Sequence, residues 1–438
     1  MKTVEINTRL FAGNRERLCS MLPDHSVAIL HANDEMSRTA DQLYPYRQNS
    51  DLFYFSGINQ EKTLLLFCPD HPDKQMYEIL FILKSDKKLE TWQGHKLTSG
   101  EAQVISGIRN IKYLDELEPI LATLMQYAHH VYINGPEHQK FIPDLPSRDL
   151  RFAGELQKKF PAHSYERLAP LIHGLRMVKS SYEIELVREA CRITHAAFRR
   201  VLDMIQPGIR EYDVEAEIIH EFIRQGAGGH AFHPIVASGK NACFLHYEAN
   251  NASCHDGDLL LLDFGAEYGN YAADCSRTFP VNGRFTDRQK ELYQSVLNVF
   301  KYARTLIKPG ATINSIHDAV CRYFESEHIR LGLYTQTELD QQNELSPLYQ
   351  QYYMHGTSHF LGLDVHDPGN KNAELKPGMI LTCEPGIYLP DENTGIRLEN
   401  DILVTEEGNT DLMEDIPIEA EEIEKLMIWK QNSGKSTG

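Results

Sequence analysis

Apolar runs of strand length recur through the first part of the chain, each bounded by turn formers. They are Ser26-Val27-Ala28-Ile29-Leu30, Thr63 to Cys68, Glu78 to Leu83 and Val131-Tyr132-Ile133. Segments with helical periodicity, such as Asp115 to Tyr127, lie between them. This alternation predicts one α/β domain over residues 1–172. Near His173 the pattern changes, and Ser180-Ser181-Tyr182-Glu183 opens a long helical stretch with capping-box spacing, Ser180 to Glu183. Residues 173–438 are expected to form a second domain.

That second part echoes itself. Gln206-Pro207-Gly208-Ile209 precedes a helical run ending at Arg224, and Lys308-Pro309-Gly310-Ala311 precedes another, Ile316 to Phe324. Asp256-Gly257-Asp258-Leu259-Leu260-Leu261-Leu262-Asp263 then matches Lys376-Pro377-Gly378-Met379-Ile380-Leu381-Thr382-Cys383-Glu384. In both, a glycine is followed by apolar residues, a carboxylate and a second glycine, Gly265 or Gly386. Several matches in one order predict two halves related by a pseudo-twofold, with a carboxylate from each near the axis.

Both matches continue into hairpins. A two-residue loop at Tyr268-Gly269 would set Asp263 directly opposite Asp274, and a longer turn through Pro390 to Gly395 brings Glu384 near Glu399. A buried strand does not ordinarily end in an unpaired carboxylate. Four of them on matching hairpins would repel one another, and one or two shared divalent cations relieve that repulsion. Met354-His355-Gly356-Thr357-Ser358-His359-Phe360-Leu361-Gly362 supplies a nitrogen donor, and His366 follows seven residues after His359. The spacing is neither H-E-x-x-H nor a Cys/His knuckle. Oxygen-rich ligation with one imidazole suits Mn²⁺ or a similar ion.

Composition narrows the rest. With 44 Lys+Arg against 62 Asp+Glu, the net charge of −18 disfavours nucleic acid or an anionic membrane as partner. The longest apolar stretches are far too short to span a bilayer, and the first residues lack the apolar core of a signal peptide. Eight cysteines without C-x-x-C read as reduced, mostly buried thiols, so a cytoplasmic protein is expected.

At these residues the sequence resembles the pita-bread metallopeptidases: methionine aminopeptidase, prolidase and aminopeptidase P. The family pattern of two aspartates, the second histidine of H-G-x-x-H and two glutamates falls on Asp263, Asp274, His359, Glu384 and Glu399. The run from Arg38 to Gly57, through Asp41-Gln42-Leu43-Tyr44-Pro45-Tyr46-Arg47, looks like the N-terminal domain of aminopeptidase P. The resemblance implies an α/β N-terminal domain, an α+β pita-bread catalytic domain and two divalent metals, of which Mn²⁺ is expected. It further implies a hydroxide bridging those metals, and as substrates peptides with proline in second position. Four carboxylates, two dications and one hydroxide leave a single negative charge, which Arg397 on the same strand face as Glu399 would neutralise.

The resemblance also assigns roles. Glu384 is a ligand and the expected proton shuttle, while His246 and His366 match the two catalytic histidines that bind no metal. His355 and Arg397 match residues behind the ligands, and Tyr388 matches a tyrosine lining the site. Asp41 and Trp92 match residues that approach a neighbouring subunit's active site in aminopeptidase P tetramers, so a homo-oligomer, dimer or tetramer, is expected. Read locally instead, Asp41 is a turn residue and Trp92 a core residue. Cys275 and Cys383, adjoining Asp274 and Glu384, should turn away from the metals and pack. The segments His366 to Pro377 and Glu384 to Arg397 are shorter than the bacterial pattern, and the first lacks an arginine often found there. Prolidase remains the alternative. A non-catalytic pita-bread module or a metal-free amidinohydrolase is disfavoured because all five ligands are present.

Overall fold

A computed structural model describes residues 4–84, 86–137, 144–343 and 345–433. Its contacts divide the chain into two compact units, Glu5–Arg176 and a second from Met177 onward. Among the described residues, no helix is long and apolar enough to cross a membrane.

The first unit is built on a six-stranded mixed sheet. Its order is Ile111–Tyr113, Glu78–Ile82, Leu64–Phe67, Ser26–His31, His130–Ile133, Ser164–Arg167. The central strand Ser26–His31 is buried along its whole length, which is why it reads as an unbroken apolar run rather than an alternating one. Val27, Ile29, Leu64, Leu66, Ile79 and Phe81 pack on one face against Leu121 and Leu124 of the helix Leu117–Tyr127 and Leu156 of the helix Arg148–Lys159.

The second unit begins at the long helix Ser181–Met204, whose N-terminus carries the expected box. Glu183 accepts from the Ser180 N–H at 2.8 Å and from its hydroxyl at 2.9 Å. Each half then runs as two helices followed by a strand meander. The helices are Ser181–Met204 and Glu211–Arg224 in one half, Asp287–Leu306 and Ile313–Arg330 in the other. The repeated glycines take matching left-handed conformations: φ is +94° at Gly208 and +85° at Gly310, +88° at Gly257 and +89° at Gly378. Their hydrogen bonds match too. Gly208 N–H donates to Cys254 O (2.8 Å) as Gly310 N–H does to Leu375 O (3.0 Å). Val281 N–H donates to Asp258 O (2.9 Å) as Val404 N–H does to Met379 O (2.8 Å).

The hairpin registers decide where the carboxylates go. The first hairpin turns at Gly269 and Asn270, both left-handed (φ +56° and +68°), the pattern of a two-residue I′ turn. Asp263 therefore faces Ser276, not Asp274 as the expected Tyr268-Gly269 loop would have it. Because the register moves by two residues, Asp274 keeps the face of Asp263 and lies diagonal to it; a slip of one would have reversed it. In the second hairpin Gly386 pairs with Arg397 and Cys383 with Asn400, so Glu384 falls opposite Glu399, as expected.

The two inner strands meet across the axis. Glu399 N–H donates to Ser276 O (3.1 Å), the Thr278 hydroxyl to Arg397 O (3.2 Å), and Arg397 N–H to Thr278 Oγ1 (3.2 Å). Ser276 is thus the counterpart of Glu399, Asp274 that of Arg397, and Thr278 that of Asp401. Only Asp263 and Glu384 are acidic in both halves. The expectation that each hairpin repeats the same pair of carboxylates is corrected accordingly. The axis position brings counterparts face to face, and two bare carboxylates there would repel at contact distance.

Candidate metal centre

Each ligand candidate sits where a strand ends or breaks. Asp274 lies between the strands Tyr271–Ala272 and Cys275–Pro280, Glu384 between Ile380–Cys383 and Gly386–Leu389, and Glu399 between Thr394–Arg397 and Asn400–Thr405. Asp263 is the penultimate residue of Leu259–Phe264. His359 arrives on a segment that pairs antiparallel with Ile380–Glu384. Leu361 N–H donates to Ile380 O (3.1 Å), Thr382 N–H to His359 O (2.9 Å), and Glu384 N–H to Thr357 O (2.9 Å). Gly265 permits the fold here, since a Cβ on it would lie 1.7 Å from Ala273 O.

The His359 ring is fixed by its own neighbour. Nδ1 donates to Phe360 O at 3.0 Å, which turns Nε2 toward Asp274 Oδ2 at 3.4 Å and Glu384 Oε1 at 3.8 Å. One donor atom each from Asp274, His359 and Glu399 lie within 4.8 Å of one another. Asp263 Oδ1, Asp274 Oδ1 and Glu399 Oε1 are buried without a hydrogen-bond partner. Burial, then the charges of Asp263, Asp401 and Glu384, holds the Asp274 carboxyl well above the ordinary carboxylate range. Burial, then the charges of Asp274, Glu384 and Asp263, does the same to Glu399. Burial also raises Glu384, against the attraction of His359 and Arg397. Hard oxygen donors around one imidazole, with acceptor oxygens left open, fit divalent cations.

Behind the ligands runs a chain of hydrogen bonds that the sequence indicated only in part. Arg397, 5% exposed, donates through Nη2 to Asp263 Oδ2 (2.5 Å), through Nη1 to the Tyr388 hydroxyl (2.9 Å) and through Nε to Ser276 Oγ (2.8 Å). Ser276 donates to Glu399 Oε2 (2.6 Å), so that Oε1 is the oxygen left open. Tyr388 donates to His355 Nε2 (2.8 Å), whose Nδ1 donates to Gly356 O (2.8 Å). Burial and then the Arg397 charge push the His355 pKa down to about 3, so its ring is a neutral acceptor. Ser276 was not singled out in the sequence. The signal that finds it is its place two residues after Asp274, at the repeat position of Glu399.

A cavity of about 270 Å³ collects most of the candidates. Asp263, Asp274, His359, Glu384, Glu399, His246, His355, His366 and Arg397 all line it. His366 packs edge-on against His359 with ring centroids 4.5 Å apart, and His246 is exposed at the cavity wall. Tyr388 is fully buried behind the wall. Cys275 and Cys383 are buried, and the Cys383 thiol points to Phe300 O (3.9 Å), consistent with packing. Asp41 and Trp92 belong to the other unit. Asp41 sits at the exposed turn between Ser37–Thr39 and Gln42–Leu43. Trp92 is 84% exposed, which overturns its reading as a core residue.

Residues 185–406 match the family model described as metallopeptidase family M24, and residues 11–132 match the aminopeptidase P N-terminal domain. The chain is 37% identical to the Xaa-Pro aminopeptidase of Escherichia coli (strain K12), over 97% of this chain and 98% of that one. It is similar to the structure of a putative aminopeptidase P from Bacillus anthracis (TM-score 0.90, 36% identity, 97% and 99% of the two chains). It is also similar to zinc-substituted E. coli aminopeptidase P in complex with product (TM-score 0.89, 35% identity, 98% and 99%).

Proposed function

Because this chain belongs to metallopeptidase family M24, we propose that it is a metal-dependent Xaa-Pro aminopeptidase, releasing the first residue of peptides whose second residue is proline. The observation that carries the reading is the convergence of three buried, unpartnered carboxylate oxygens with the Nε2 of His359 on one cavity. Asp263, Asp274, His359, Glu384 and Glu399 would hold two divalent cations, with Mn²⁺ suited to this donor set. Such ions supply a water of lowered pKa and polarise the scissile carbonyl.

The chain's own residues do the rest. Glu384, lining the cavity beside His359, would take the proton gained from water and pass it on. Its destination is the proline nitrogen, which carries no N–H in the peptide and must gain a proton to leave. His246 and His366, which line the cavity, would bind the peptide around its scissile carbonyl. Arg397 balances the acidic cluster and keeps Asp263 and Glu399 oriented through its own contacts and those of Ser276.

A cytosolic location is part of the same proposal, supported by eight free cysteines. So is a homo-oligomer, supported by the exposure of Trp92 and of the hairpin bearing Asp41. The test is to give Mn²⁺-loaded protein Xaa-Pro-Xaa tripeptides and Xaa-Pro dipeptides and to follow products by mass spectrometry. Release of the first residue from tripeptides is expected. Cleavage of dipeptides alone would make it a prolidase, and turnover of neither would end the enzymatic reading.

A further inference from the structure

Asp401 is a buried carboxylate that none of the roles above uses. It is 0% exposed, two residues beyond Glu399. Its Oδ2 accepts the Asp274 backbone N–H at 3.1 Å and the Cys191 thiol at 3.4 Å, while Oδ1 is buried without a partner. Asp401 therefore grips the main chain of one ligand candidate and tethers it to the helix Ser181–Met204.

The internal repeat supplies a control for this contact. Thr278, the counterpart of Asp401, accepts the N–H of Arg397, the counterpart of Asp274, at 3.2 Å. The same backbone donor is satisfied in both halves by the side chain four positions along the partner strand. One half does it with a neutral hydroxyl. The other uses a carboxyl group whose second oxygen is left open, a buried polar atom that is costly to leave without a partner. The half that employs the acid is the half that grips Asp274, a residue facing His359 and Glu399.

We propose that Asp401 is a positioning residue of the metal centre, which fixes the Asp274 main chain and, through it, the carboxylate that faces His359 and Glu399. The proposal rests on the reading of the cavity as a divalent-cation site. Residues directly behind metal ligands commonly change metal affinity or activity by about 10–100-fold when replaced. Asp401→Leu removes the acceptor. Asp401→Thr transplants the solution of the opposite half.

Metal-stripped native protein and both variants are titrated with Mn²⁺ by calorimetry, with folding checked by circular dichroism and melting. Mn²⁺ binding weaker by about tenfold or more is expected in Asp401→Leu, and affinity within about threefold of native in Asp401→Thr. The KM for an Xaa-Pro-Xaa peptide at saturating Mn²⁺ should be unchanged. Mn²⁺ affinity within about twofold of native in folded Asp401→Leu would overturn the proposal, as would equal weakening in both variants or failure of both to fold, which would make Asp401 a purely structural group. Native protein that binds no Mn²⁺ would instead refute the metal site itself, a distinguishable result.

Discussion

Replacing Lys179 with Met should destabilise the catalytic unit and disturb His366 together. Lys179 Nζ lies 3.0 Å from Asp367 Oδ2, and both side chains are 1% exposed. The pair closes the loop that carries His366. Asp367 Oδ1 accepts from Asp364 N–H (3.2 Å), and Asp367 N–H donates to Phe360 O (2.9 Å), next to His359. Lys179 is itself anchored by its N–H to Gly378 O at 2.8 Å. Methionine fills much of the lysine volume but leaves the Asp367 carboxylate buried without its cation. Breaking a buried pair in this way costs about 3–5 kcal/mol, whereas replacing both partners by apolar groups is often neutral. At 1.4 kcal/mol per decade, the folding constant should fall by roughly 10²–10³-fold or somewhat more.

The assay is guanidinium unfolding of Mn²⁺-loaded native protein, Lys179→Met, Asp367→Leu and the double variant. The single variants should each lose about 3 kcal/mol or more, and the double variant should regain most of it. In Lys179→Met the kcat/KM for an Xaa-Pro-Xaa peptide should drop while Mn²⁺ affinity holds, because the disturbed residue is His366 and not a ligand. A single-variant loss below about 1 kcal/mol, or losses that simply add in the double variant, would refute the reasoning.

Two further outcomes follow from the site. Asp274, Glu384 and Glu399 have folded-state pKa values raised by burial first, reinforced at Asp274 and Glu399 by the neighbouring carboxylates and opposed at Glu384 by His359 and Arg397. Their contribution is fully present below the unfolded value near pH 4 and is lost as pH rises through the folded values. Metal-stripped protein should therefore melt lower at pH 8 than at pH 5.5, and Mn²⁺-loaded protein should show the opposite trend because cations bind the deprotonated groups; melting curves with and without chelator at both pH values decide it, and stripped protein that gains stability toward pH 8 contradicts it. Gly265→Ala places a Cβ 1.7 Å from Ala273 O. Since that atom is backbone and cannot rotate away, destabilisation beyond the ~1–3 kcal/mol usual for overpacking is expected by chemical unfolding, and a native-like midpoint would refute the close approach.

Much of this protein was legible in local pattern. The strand-length runs around Val27, Leu65 and Ile79 are buried on both faces, so apolar continuity alone marks them. The repeated glycines announce the two halves because a left-handed φ is demanded at each turn and glycine meets it without strain. The five ligand candidates could be read because the chemistry requires those residue types, and the motif H-G-x-x-H with its flanking acids restricts their spacing. The register of the first hairpin was less legible. Tyr268-Gly269 and Gly269-Asn270 both look like turns, and only the pairing of Tyr268 with Tyr271 selects the second.

The amino-acid order by itself determined the halves, the acidic strand ends and the chemistry they support, since each depends on neighbours a few positions apart. The folded molecule alone decided which of them meet. Ser276 touches Glu399, Asp401 grips Asp274 and Lys179 neutralises Asp367 across more than 120 residues of chain. Such contacts have no local signature, because they arise when two separately formed strand meanders pack about a shared axis. Burial there makes every unpaired charge expensive, so the partners are selected by the space and polarity that packing leaves.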